Sequence, residues 1–187
     1  MQVEGIVSDI LDSMRKTSKA RFSAHRRLNS HNIKSLMIVI FYSTVLLLTS
    51  IAEVLDFKVD QAVFSVNTFK LIQISLALVI LIFSSIITYA NYAVRAEKFH
   101  QCGLEINGLI RTHELNLSSG KSNINLVNLK YNEILKRYDN HSYIDYVNSK
   151  KGLSLDKIHH NLKDNATYLI LMALLISYTL KSLTNLV

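Results

Sequence analysis

The sequence predicts an all-α integral membrane protein: two long transmembrane helices, a third C-terminal apolar helix, and a cytoplasmic helical bundle. Three observations predict it. The 187 residues include no proline and only five glycines, which leaves little material for tight turns and favours long helices. Hydrophobic residues make up 49% of the chain against 19% charged. The charges are absent from three stretches: Ser35 to Ala52, Leu71 to Val94 and Asn165 to Leu180.

A spanning helix needs about 20 apolar residues, each advancing it about 1.5 Å. The second stretch passes easily. The first passes with Glu53 at the interface. The third is shorter, but the Lys181 stem can snorkel and the helix can run on through Leu183 to Val187. The first two are apolar around the whole helix rather than on one face, which sets them apart from the core helices of soluble proteins, whereas for the third a re-entrant or groove-packed helix is the alternative to a span. The chain therefore divides into a basic amphipathic N-terminal helix (1–33), a transmembrane hairpin (34–94), a cytoplasmic helical region (95–164) and a C-terminal hydrophobic helix (165–187).

The net charge of +7 fits anionic lipid, nucleic acid or acidic proteins, and its placement decides among them. Arg15, Lys16, Lys19, Arg21, Arg26, Arg27 and Lys34 precede the first apolar run, and eleven Lys and Arg lie in 95–164. The segment between the first two runs carries Glu53, Asp56 and Asp60 against Lys58 and Lys70. By the positive-inside rule the N-terminus and residues 95–164 are cytoplasmic and 55–69 face outward. A spanning third run would carry the C-terminus outward as well. Residues 1–33 are polar and charged, so no signal peptide is predicted. Arg26, Arg27 and Lys34 stand at the membrane entry, where lipid phosphates account for them and direct nucleic-acid binding is disfavoured.

Val3, Val7, Ile10, Met14, Ala24 and Leu28 fall near heptad spacing, which predicts one amphipathic helix feeding the first span. The second span has no breaker at its end. Ala96, Phe99, Gly103, Ile106, Ile110 and Leu117 continue at helical spacing, so one helix is expected from about 69 to 116. "SSGKSN" (118–123) and "NSKKG" (148–152) read as loops. Between them Ile124, Val127, Tyr131, Ile134, Leu135 and Tyr138 share one face. Ser154 is a candidate N-cap for the helix leading into the third run.

Catalytic and metal chemistry find little support. The single cysteine, Cys102, excludes an intrachain disulfide and a Cys-rich zinc site. "SSGKS" resembles the tail of a phosphate-binding loop, but Leu115 stands where its first glycine belongs and no strand precedes it. His159 and His160 are adjacent and point to different faces. His25 and His31 are six apart, poor spacing for sharing one ion on a helix. No enzyme activity, metal or cofactor is expected.

Polar residues inside the spans are more informative, because each must find a partner in hydrocarbon. Ser84, Thr88, Asn91 and Arg95 follow at spacings of four, three and four on one face. Tyr42, Thr49 and Glu53 form a stripe on the first span, with Ser43 and Ser50 beside it. Such stripes act as glue between helices or, in an oligomer, line a pore with Glu53 near the outer mouth and Arg95 near the inner one. "NHSYIDYVNSK" (140–150) is dense in polar and aromatic groups. Asn140, His141, Asp145 and Tyr146 there are candidates for packing or for partner or ligand contact.

"ARFSAHRRLNSHN", with Ala24, Arg27 and Leu28 in an A-x-x-RL pattern, resembles the approach helix of the SLATT family of small bacterial membrane proteins. "YNEILKRYDNHSYIDY" resembles its post-membrane segment in Tyr131, Ile134, Leu135, Asn140, His141, Asp145 and Tyr146. The resemblance spans about residues 15 to 160, and the third apolar run departs from the family's plain two-span plan. It implies a multi-pass protein of the bacterial inner membrane that acts as an effector of antiphage defence of the abortive-infection type. Such an effector would work as a homo-oligomer that forms a pore or disrupts the membrane. Its trigger would be a sensor protein, a nucleotide-generating enzyme or a reverse transcriptase encoded nearby, or a small ligand. The alternative is a non-conducting anchor or scaffold for a partner enzyme.

Overall fold

The computed structural model describes residues 2–54, 66–118 and 123–150, together with scattered helical positions between 155 and 173. Five helices follow in order: α1 (Gln2–Val54), α2 (Val66–Ala90), α3 (Tyr92–Ser118), α4 (Ile124–Arg137) and α5 (Tyr143–Ser149). No strand occurs among the described residues. Of the expected outward segment 55–69, residues 66–69 begin α2 and the rest lie outside the described residues, as do Ser154 and most of the 118–123 loop and of the third apolar run. In the expected 148–152 loop, Asn148 and Ser149 instead close α5, Lys150 follows, and 151–152 lie outside.

The chain forms two units, one of residues 1–30 with 92–160 and the other of 31–91 with 161–187. In the first unit, Met14 of α1, Cys102, Ile106 and Ile110 of α3, and Val127, Tyr131 and Ile134 of α4 form one core. Their spacings of three and four place each set on one helix face. Burial of a side chain such as Ile106 contributes about 1.5–3 kcal/mol. A second cluster joins Ala24 and Leu28 to Ala96 and Phe99. The small residues let the helices approach closely: a Cβ added at Gly103 would meet the Phe22 ring at 3.0 Å.

Polar residues also line this seam. Ser18 Oγ donates to Asn107 Oδ1 (2.7 Å) and approaches the Gly103 carbonyl, and Tyr131 donates to Thr17 (2.8 Å). Tyr138 donates to Glu105 at 2.6 Å, and that bond pushes the phenol up to about 12. Asn123 caps α4 by accepting from the Leu126 N–H. Burial pushes the Cys102 thiol up, which keeps it protonated.

The uninterrupted helix expected over 69–116 is two helices. Asn91 separates α2 from α3 with φ 47°, its N–H turned back to the Thr88 carbonyl. Asparagine enters the left-handed region more readily than other non-glycine residues, so a break arises there without glycine or proline.

In the second unit, Ser35 and Ile38 of α1 are buried. Ser35 and His31 both meet the Tyr168 hydroxyl, at 3.0 and 3.2 Å. These contacts tie the described part of the C-terminal segment to the start of the first apolar run. Two helical stretches, Val7–Ile51 and Gln73–Leu117, each contain a window apolar and long enough to cross a membrane. None of the second window is buried within the chain and little of the first is.

Candidate functional site

The strongest polar constellation lies where α1 meets α5. Asp145 is the third residue of α5 and is fully buried. Its Oδ1 accepts from Arg27 Nε (2.8 Å). Its Oδ2 accepts from Arg27 Nη2 (3.1 Å), the Ser142 N–H (3.0 Å) and the Ser142 hydroxyl (2.7 Å). The Ser142 N–H bond is the return arm of a capping box, which fixes the start of a helix too short to hold itself. Burial alone would push the Asp145 carboxyl up. The Arg27 and Ser142 bonds outweigh it and hold the group below the ordinary carboxylate range.

The other residues singled out in this stretch lie around the pair. Asn140 is exposed. His141 is half-buried, with an Nδ1 that has no partner, and burial followed by the charge of Arg21 pulls its imidazole below the usual histidine range. Tyr146 lies under Lys150 Nζ, 4.5 Å from the ring centroid. Arg26 is exposed, whereas Arg27 turns its guanidinium to Asp145 and Lys34 donates to Asn165.

Sequence periodicity passed over Arg21. Its side chain is 2% exposed, its Nη1 donates to the Asp139 carbonyl, and its guanidinium lies over the Phe99 ring at 5.4 Å. Next to it in sequence, Phe22 packs edge-on against His100 (5.6 Å), which also meets His25 (4.8 Å). The signal that could have found Arg21 is its spacing of three from Ala24, within the apolar face of α1.

On the spans, Ser84 and Thr88 share an exposed face of α2, and Thr88 Oγ1 donates to the Ser84 carbonyl (2.9 Å). Ser75, Ser85, Thr44 and Ser50 bond in the same way to carbonyls four residues earlier, and Thr49 bonds to Leu46. The hydroxyls of Thr44, Thr49, Ser50, Ser75, Ser85 and Thr88 thus each donate inside their own helix. The four-residue stripe does not run through as one register. Asn91 is the break itself, and Arg95 lies beyond it, exposed in α3 of the first unit. Glu53 belongs to α1, and its side chain lies outside the described residues.

Over residues 7–183 the sequence matches the profile of the SMODS and SLOG-associating 2TM effector domain family 5. The chain belongs to this family. The match extends beyond the expected 15–160 and takes in the third apolar run, while the family's description counts two spans. No curated protein matches the chain, and no solved structure does. The chain is thus an all-α membrane protein with an effector domain of conflict systems. The Arg27–Asp145 pair joins the two segments on which the SLATT resemblance rests.

Proposed function

We propose that this SLATT domain is the membrane effector of a bacterial antiphage system of the abortive-infection type. It assembles into a homo-oligomer and opens or disrupts the inner membrane when a partner or ligand triggers it. It does so without catalysis and with its N-terminus in the cytoplasm. The observation that carries this reading is the uncovered apolar surface of the spans: Ile74, Leu81 and Tyr89 of α2 are 70%, 64% and 90% exposed within one chain. Lipid covers such surface in a resting protein, and neighbouring copies cover part of it in an assembly. Residues of α1 belong to both units, so a change in the helical bundle has a covalent route to the first span. A trigger acts by binding one arrangement of the bundle more tightly than the other.

The self-bonded hydroxyls favour a second reading, a non-conducting anchor for a partner enzyme such as a nucleotide-generating enzyme or a reverse transcriptase. They need neither water nor a neighbour. Two measurements separate the readings: the size of the complex in mild detergent, and the activity of Ser84→Ala/Thr88→Val. The effector reading expects a ring-sized oligomer and altered ion flux in the variant. A monomer whose defence activity survives those changes fits the anchor instead.

A further inference from the structure

Arg21 and Arg27 lie six residues apart on α1, and their forks are used differently. Arg27 places its Nε–Nη2 edge against both oxygens of Asp145. In Arg21 the corresponding edge is unpaired: Nε is buried without a partner, and among the described residues Nη2 makes no hydrogen bond. Its contacts are the Asp139 carbonyl, taken by Nη1, and the Phe99 ring. No carboxylate pairs with it among the described residues, although a buried guanidinium without a counter-charge is costly. His141 follows Asp139 by two residues on the same linker, and its Nδ1 is likewise buried and unpartnered. The Arg21 contact with the Asp139 carbonyl holds the guanidinium against this linker, two residues from His141.

We propose that Arg21 and His141 form a binding site for a phosphate group in the helical bundle. Two phosphate oxygens accept from the unpaired Nε–Nη2 edge of Arg21, whose neighbours shift to admit them, in the bidentate geometry a guanidinium fork favours. A third oxygen accepts from His141 with its proton on Nδ1. That third oxygen selects phosphate over carboxylate, whose two oxygens the fork would consume. Binding would engage the linker that Arg21 already holds through Asp139, and with it the start of α5. The phosphate can belong to a soluble molecule or to a lipid headgroup.

The test uses the full chain, purified in phospholipid-free detergent and titrated with inorganic phosphate at constant ionic strength, with chloride as the control anion. Saturable binding by calorimetry is expected, with amide shifts confined to 139–145. Arg21→Lys keeps the charge and a donor for Asp139 but has no fork, and it should weaken binding about tenfold or more. His141→Phe should weaken it as well, and Arg111→Gln, an exposed arginine on α3, should not. Repeating the titration in phosphatidylglycerol nanodiscs separates the sources. Unchanged affinity assigns the site to a soluble phosphate, and a loss of about tenfold or more assigns it to the headgroup. Absence of saturable binding in detergent, or an Arg21→Lys chain that binds as tightly as the parent, overturns the proposal. The readout is binding rather than conduction, so this result is independent of whether the spans open.

Discussion

Removing either partner of the Arg27–Asp145 pair should have unequal effects. Asp145 is fully buried and accepts four hydrogen bonds, two of them from Arg27. Arg27→Ala strands a buried carboxylate, a loss of about 3–5 kcal/mol when nothing compensates. The two Ser142 bonds survive the change, so the lower end, about 3 kcal/mol, is expected. Asp145→Ala removes the return arm of the cap, about 1 kcal/mol, and takes the carboxylate from a guanidinium that keeps Ser142 Oγ at 3.3 Å and whose side chain is already 24% exposed to water. Its total cost should be about 2 kcal/mol. The double variant should cost little more than Asp145→Ala alone, giving a coupling of about 2–3 kcal/mol. Native-state amide exchange of α4 and α5, read against the parent protein, reports these values as local opening free energies. Equal costs for the two single changes, with a coupling below about 0.5 kcal/mol, would show that Asp145 does not depend on Arg27 for its charge.

Three further outcomes follow from the packing. Gly108→Ala meets open space and should stabilise the bundle by about 0.8–1 kcal/mol, whereas Gly103→Leu must displace Phe22 and should destabilise it; thermal unfolding in detergent ranks the two. The depressed carboxyl of Asp145 contributes stability that is present above the ordinary carboxylate range, about 3.9, and lost as pH falls through its lower folded value. His141, also depressed, removes stability as pH falls below about 6.5, where the unfolded chain takes up a proton that the folded one refuses. The unfolding midpoint should therefore decline gently below about 6.5 and steeply below about 3.9, and a midpoint flat down to pH 3 contradicts both assignments. Asn91→Gly should leave stability unchanged or higher, while Asn91→Leu should cost about 1–2 kcal/mol by forcing a branched side chain into the left-handed region, as thermal unfolding in detergent would report.

Much of the helical architecture was legible, because apolar spacing of three and four reports a buried face directly. Ile106, Ile110, Val127, Tyr131 and Ile134 are all core residues as their periodicity indicates. Leu117 follows the same spacing yet is 56% exposed. The N-terminal face was only half legible. Met14, Ala24 and Leu28 are buried, but so are Ser18, Arg21 and Ser23, whose polarity reads as solvent-facing unless their partners are known. Those partners, such as Gly103, Asn107 and Asp139, lie far along the chain, and local patterns carry no such information. The same distance hid the pairing of Arg27, since the charge beside an apolar run points to lipid while its carboxylate lies 118 residues away. The break at Asn91 went unread because it uses neither glycine nor proline.

The proposal that this SLATT domain breaches the membrane is tested by recording membrane potential in single cells during phage infection, with the whole defence locus present. Cells carrying the chain should depolarise before they stop growing, while cells lacking it should stay polarised and release phage. Infected cells that block the phage while holding full membrane potential would contradict it.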